Sequence, residues 1–366
     1  MSNPSKYYFP QLDAVRGLSF LAVYIFHAFH PQFGTGFFGR MLKYFYYNLS
    51  LSIDVFFILS SFLLTWLGIN EYKARGNFSF INYFIRRALR IWPLYFLLMI
   101  FSFVLVPYAS IYFHVPITLP PAYYYLFFVS NFYLEGHVYF LRFLWTLSVE
   151  EQFYLFWGIC LLLFQKRLMA CVAVLGGVSL CYTMYAIQNH IPHDLNTLTY
   201  LFDFAMGILA AVLMHRQNSI VNFFTKISKR KNLVFLLTLP VMFFVIFCFL
   251  DIAPHSYAPF LDLLGRYFFI TFTGLFIIEQ MVNENSLIKL KSQRFLIYTG
   301  KISYGLYCFH GIVLTFGLAM LQKLDVTIPV FIRGLMFLLI NYIIAAISYQ
   351  FIEKPFLNLK NKLRRI

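Results

Sequence analysis

Residues 232–250, NLVFLLTLPVMFFVIFCFL, hold no charged side chain in nineteen positions. A helix of that length rises about 28 Å, which matches the roughly 30 Å hydrocarbon core of a bilayer. Nine further runs of similar character flank it, at 13–30, 50–69, 89–108, 142–164, 168–187, 198–215, 261–281, 300–321 and 328–351. Their apolarity is continuous rather than alternating, which selects helices over a β-barrel. The expected fold is all-α, a polytopic membrane bundle of about ten transmembrane helices in a single domain over 1–366.

Composition agrees. The 366 residues are 61% hydrophobic and 21% aromatic, and only 12% are charged. A soluble domain carries roughly twice that charge, so both a soluble and a disordered chain are excluded. The net charge of +15 is spread in short clusters between apolar runs and does not form a nucleic-acid surface. Five cysteines, Cys160, Cys171, Cys181, Cys248 and Cys308, lie inside apolar runs with no CxxC pair. They read as small membrane hydrophobes, with no disulfide framework and no metal site expected. The first run carries His27 and His30 and no small-x-small cleavage site, so it is not a cleaved signal.

Basic residues orient the chain. One set of connections and both tails hold 21 Lys and Arg, while the opposite set holds Arg40, Lys43 and Lys323. The rule that positive loops stay inside places both termini in the cytoplasm. The long connection 109–141, rich in Pro and Tyr, is then expected to fold over the outer mouth.

Ionisable groups inside spans are costly and mark function by default. Arg16 and His27 are eleven residues apart on the first span. At about 100° per residue they share one helix face, separated by about 16 Å of rise. Arg16 also reads as a snorkelling anchor, and His27 as a bundle histidine. At the depth of His27 the pattern places Asp54, Ser148, Glu150, Glu151, Asp203 and Arg266 in one layer. A carboxylate there would orient a histidine base; the other reading is a set of structural interhelical pairs. Arg86, Arg87 and Arg90 open the third span, where forked guanidinium groups suit phosphate oxygens and the positive-inside bias offers a plainer account. The ninth span carries Tyr304 and His310, taken singly as packing residues, and Glu353–Lys354–Pro355 ends the last helix.

Six motifs in order, RGLSFLAVYIFH (16–27), SIDVFFILSSFLLT (52–65), RRALRIWPLYF (86–96), LWTLSVEEQFYLFW (144–157), ISYGLYCFH (302–310) and FIEKPF (351–356), resemble the membrane-bound acyltransferase-3 family. The resemblance covers about residues 11–357. It implies a ten-helix enzyme of a bacterial inner membrane that moves an acyl group, usually acetyl, from cytoplasmic acyl-CoA to an outer acceptor. The family's basic-residue/histidine signature corresponds to Arg16 and His27, its Arg-x-x-Arg element to Arg87 and Arg90, and its Ser-x-Glu element to Ser148 and Glu150.

On that resemblance His27 is the general base, polarised by Asp54 or by Glu150 and Glu151, with Ser148 or Tyr304 as oxyanion donor. Arg86, Arg87, Arg90 and Arg16 hold acyl-CoA, with acetyl-CoA the expected donor. Asp203, Arg266, Tyr304 and His310 are candidate acceptor-binding residues. A covalent relay through His27 or Ser148 is a second route. The expected partners are membrane lipid, acyl-CoA and a carbohydrate acceptor, the hydroxyl of a surface polysaccharide or its lipid-linked precursor, with a homo-oligomer left open. Departures are Ser52 and Ser61 where the family often has Gly, Gly311 where it often has Trp, and a tail lacking the extra helix and hydrolase-like domain of some members. A transporter or flippase of envelope glycans or acyl groups is the second functional class, with a membrane glycosyltransferase or polymerase a further option, but Pro93 and Pro240 do not break spans at matching places in two halves, as a transporter's would.

Overall fold

The computed structural model describes residues 8–113, 117–133, 138–252 and 254–363. Lys6, Arg364 and Arg365, part of the basic tails, and portions of the 109–141 connection lie outside the described residues. The helices run α1 Pro10–Ala28, α2 Phe37–Tyr47, α3 Ser52–Arg75, α4 Phe80–Ile100, α5 Val106–Phe113 and α6 Tyr123–Leu126. They continue as α7 Tyr139–Arg142, α8 Trp145–Leu163, α9 Leu168–Gln188, α10 Leu201–Arg216, α11 Ser219–Thr225 and α12 Lys229–Ile252. The last are α13 Ala258–Val282, α14 Arg294–Lys301, α15 Ser303–Lys323, α16 Val330–Ser348 and α17 Lys354–Leu363. No strand occurs among the described residues.

Eight helical stretches among the described residues are long and apolar enough to cross a membrane. The two expected spans outside that set, α1 and α8, are each 19 residues long. They are the helices that carry Asp13, Arg16 and His27, and Glu150, Glu151 and Gln152, and those polar side chains dilute their apolarity. On α12 the apolar residues Val234, Leu237, Val241 and Phe249 are exposed, the pattern of a helix solvated by lipid.

The chain divides into two compact units, each assembled from three stretches of sequence. The first comprises 1–74, 166–191 and 198–301. Its core joins Leu12 and Val15 of α1, Ile58 and Phe62 of α3, Ala211 of α10 and Ile277 of α13. Helix α1 crosses α14 through two glycines, where a Cβ on Gly17 would collide with the carbonyl of Leu296 and one on Gly300 with the carbonyl of Asp13. Small residues at such crossings let backbones approach and gain van der Waals contact. Gly207 of α10 meets α3 in the same way, against Ile58 and Ser61. Ser61 is fully buried and donates to the Ile58 carbonyl at 3.1 Å, so a small residue that satisfies its own hydroxyl stands where relatives of the motif often have Gly.

Between the first and second expected spans the chain forms the helix α2, which the span pattern does not indicate. Arg40 of α2 makes a two-pronged ion pair with Asp251 of α12, at 2.7 and 3.0 Å. The connections before α3 and after α12 therefore lie on one side, as alternating spans require.

The second unit comprises 75–165, 192–197 and 302–366. Leu94, Tyr95 and Leu98 of α4 pack with Tyr125, Phe140, Leu144 and Leu147. Helix α4 starts at an N-cap on Ser79, nine residues ahead of the expected boundary, so Arg86, Arg87 and Arg90 stand inside the helix rather than at its mouth. A side chain at Gly311 would strike the Phe143 ring, which fills the volume that a larger residue would need.

Candidate active site

In the first unit, α1 is an unbroken helix from Pro10, so Arg16 and His27 do share a face. Arg16 is buried and its Nη1 reaches Asp13 Oδ1 at 3.4 Å. His27 is half-buried in the last turn, its ring edge-on to Phe26 with centroids 5.0 Å apart. Tyr46 of α2 donates to the carbonyl oxygens of Phe26 and Phe29, tying down the end of α1 on which His27 stands. That contact was not legible in the sequence, because α2 was not expected.

Asp54, Asp203 and Arg266 come together. Arg266 donates through Nε to Asp54 at 3.0 Å, through Nη2 to Asp203 at 2.7 Å and through Nη1 to the carbonyl of Thr199 at 3.3 Å. Its guanidinium also covers the Tyr200 ring at 4.9 Å. Asp54 is 2% and Asp203 0% exposed. All three guanidinium nitrogens are occupied by the protein, which is the arrangement of an interhelical clamp among α3, α10 and α13.

The second unit holds the remaining predicted residues. Arg87 is 8% exposed and lies 5.8 Å from the Tyr154 ring. Neither Arg87 nor half-buried Arg90 makes a hydrogen bond or ion pair among the described residues. Tyr154 also donates to Glu150 at 2.8 Å, and Tyr83 donates to the Tyr154 carbonyl at 3.0 Å. Glu151 is 7% exposed; its Oε2 accepts from the Trp92 indole at 3.3 Å, and its buried Oε1 has no hydrogen-bond partner among the described residues. Tyr304 donates to the carbonyl of Ile91 at 2.7 Å. His310 is buried beside Phe143, 4.3 Å between ring centroids, with Nδ1 at the Tyr307 carbonyl.

Ser148 is fully buried, with its Oγ 2.8 Å from Ser130 Oγ and accepting from the Ser130 N–H at 3.3 Å. Gln152 donates to the Phe128 carbonyl and to Asn131 Oδ1, each at 2.8 Å. Thus Ser148 and Gln152 fasten the described part of the 109–141 connection onto α8. Ser130, Asn131, Gln152 and Trp92 were missed by sequence reasoning. Gln152 directly follows the Ser-x-Glu-Glu run, and that adjacency was the one available signal.

Comparison with known proteins gives the chemistry a family. An acyltransferase domain matches residues 9–350. The chain belongs to the acyltransferase-3 family. It is a multi-pass membrane protein with a member's helices and motifs. It is similar to the peptidoglycan O-acetyltransferase OatA of Listeria monocytogenes, 28% identical over 377 residues, which cover 96% of this chain and 56% of that protein. It is also similar to a Staphylococcus aureus protein named "Putative O-acetyltransferase", 29% identical over 373 residues, 95% of this chain and 57% of that one. The chain spans about half the length of the curated relatives it matches. No solved structure matches it significantly. The acyltransferase-3 match runs through both compact units and takes in Arg16 and His27 in one, and Arg87, Arg90, Ser148 and Glu150 in the other.

Proposed function

We propose that this protein is a membrane O-acetyltransferase that moves an acetyl group from cytoplasmic acetyl-CoA to a hydroxyl of an envelope glycan. The names of its relatives support the acetyl group and the glycan. In this proposal the chain has ten spans in an inner membrane, and the basic bias of one set of connections supports an orientation with both termini and the donor side in the cytoplasm.

The observation that carries the donor is Arg87. A buried guanidinium that lies against an aromatic face and makes no hydrogen bond or ion pair among the described residues leaves its forked donors open, and phosphate oxygens suit that fork. Arg90, one turn along the same face of α4, adds a second cation, and Arg86 a third. Arg16, held to Asp13, supports α1 rather than the donor in this reading.

His27 takes the proton of the acceptor hydroxyl as its oxygen attacks the thioester carbon. The C–O ester bond forms, the C–S bond breaks, and the imidazolium returns the proton to the departing thiolate of CoA. Glu150 and Glu151 supply carboxylates on α8. Asp54, engaged by Arg266, serves the fold, and so do Asp203 and Arg266. Ser148 acts by holding Ser130, while Tyr304 fixes α4 next to Pro93.

The test is thermal stability of the purified protein in detergent with and without acetyl-CoA. A native-state ligand at one hundred times its Kd stabilises by about 2.7 kcal/mol. The expected result is a shift that the Arg87→Ala/Arg90→Ala double variant loses. A wild type that acetyl-CoA and succinyl-CoA both leave unshifted contradicts the donor assignment.

A further inference from the structure

Glu353 ends the wide, π-helical turn Tyr349–Glu353 that joins α16 to α17. It is 6% exposed and makes no hydrogen bond or ion pair among the described residues, and its Oε1 is wholly enclosed. The bare Cα of Gly305 on α15 leaves space for it, since a Cβ there would stand 3.0 Å from that oxygen. The turn and α17 pack on α4, the helix of Arg87 and Arg90, and Arg90 is the cation whose charge acts on Glu353.

In the first unit two sets of charges are paired. Arg266 meets Asp54 and Asp203, and Arg40 meets Asp251, all at 2.7–3.0 Å. In the second unit Arg87 and Arg90 of α4 and the buried carboxylates Glu151 and Glu353 make no ion pair among the described residues, and Glu353, unlike Glu151, has no hydrogen-bond donor either. An unpaired buried carboxylate costs several kcal/mol that an apolar residue would avoid. A free phosphate would satisfy the arginines and repel the glutamate. A ligand that answers both carries phosphate together with N–H or O–H groups, and coenzyme A does so, through its phosphates and through the amides and hydroxyl of its pantetheine arm.

We propose that Glu353 hydrogen-bonds an N–H or O–H group on the uncharged arm of the acyl-CoA donor, beside the phosphates held by Arg87 and Arg90. This rests on the donor reading above and adds a contact that the arginines do not make.

The experiment compares acetyl-CoA with 3′-phosphoadenosine 5′-phosphate, which has phosphates and no arm, by Kd on the full chain in detergent. Glu353→Ala weakens acetyl-CoA about tenfold or more and leaves the nucleotide within about twofold. Glu353→Gln, which keeps an acceptor, stays within about threefold on both ligands. Arg87→Ala weakens both. Gly305→Ala keeps the carboxylate but displaces it, and reproduces the selective loss should Glu353→Ala fail to fold. Equal weakening of both ligands by Glu353→Ala, or of neither, overturns the proposal. A wild type that binds neither ligand overturns the donor reading itself.

Discussion

Arg266 and Asp203 meet at 2.7 Å in an interior where Asp203 is fully buried, and the same guanidinium holds Asp54 by its Nε. Three helices distant in sequence are pinned by one cation. Removing it leaves two carboxylates enclosed with no countercharge, a loss of about 3–5 kcal/mol. Arg266→Leu is therefore expected to fold poorly or to unfold many degrees below wild type in detergent, measured by intrinsic fluorescence. Asp203→Asn, which keeps an acceptor for Arg266, should cost far less. Normal unfolding of Arg266→Leu together with a raised KM for the acceptor would return Arg266 to the substrate.

The α1–α14 crossing makes a second prediction. Gly300→Ala drives a methyl against the Asp13 backbone, which cannot swing aside as a side chain does. Overpacking of this kind costs about 1–3 kcal/mol. Because α1 carries His27, transfer should fall by more than stability alone explains. Gly177→Ala on α9 is the control: nothing lies within 4 Å of its added methyl, and stability should hold or rise. Wild-type turnover in Gly300→Ala would show that the position of α1 does not matter to the reaction.

What could be read in advance follows from where each signal resides. The charge-free run 232–250 emerges as α12 with its ends moved by three residues or fewer, because lipid demands continuous apolarity. Arg16 and His27 were placed on one face by helical periodicity alone. Helix α2 was hidden, since FFGRMLKYFYY is short and amphipathic, and its anchors Asp251 and Phe29 are far away or outside its own pattern. The layer of Asp54, Asp203 and Arg266 was visible, but its closure into a clamp was not, because sequence gives depth and not the rotation of one helix against another. Likewise Ser148 read as chemistry until Ser130 came to lie against it.

That contact separates two roles for Ser148. If its hydroxyl serves to hold Ser130, each single alanine leaves a buried polar group unsatisfied at about 1–3 kcal/mol, and the double costs little more than either single. Ser130→Ala and Ser148→Ala should then reduce acetyl transfer to the same degree. A nucleophilic Ser148 predicts otherwise: its alanine would abolish transfer while Ser130→Ala retained it, and trapping with labelled acetyl-CoA would mark the protein. Rates of both variants beside their unfolding curves decide the matter.

His27 is the sharpest case, because the base should be lost without loss of the fold. The ring is half-buried on the last turn of α1, and Tyr46 secures that turn through the carbonyls of Phe26 and Phe29. Removing a general base costs about 10²–10⁴-fold in rate, so His27→Ala should reduce CoA release with acceptor present by that factor, with Tm near wild type and acetyl-CoA binding intact. Tyr46→Phe keeps the imidazole and loosens its support; it should lower kcat by less than His27→Ala and leave the KM for acetyl-CoA unchanged. Near-normal turnover in His27→Ala would move the base to α8, where Glu150 and Glu151 are the remaining carboxylates, and the Tyr46 effect would then vanish with it.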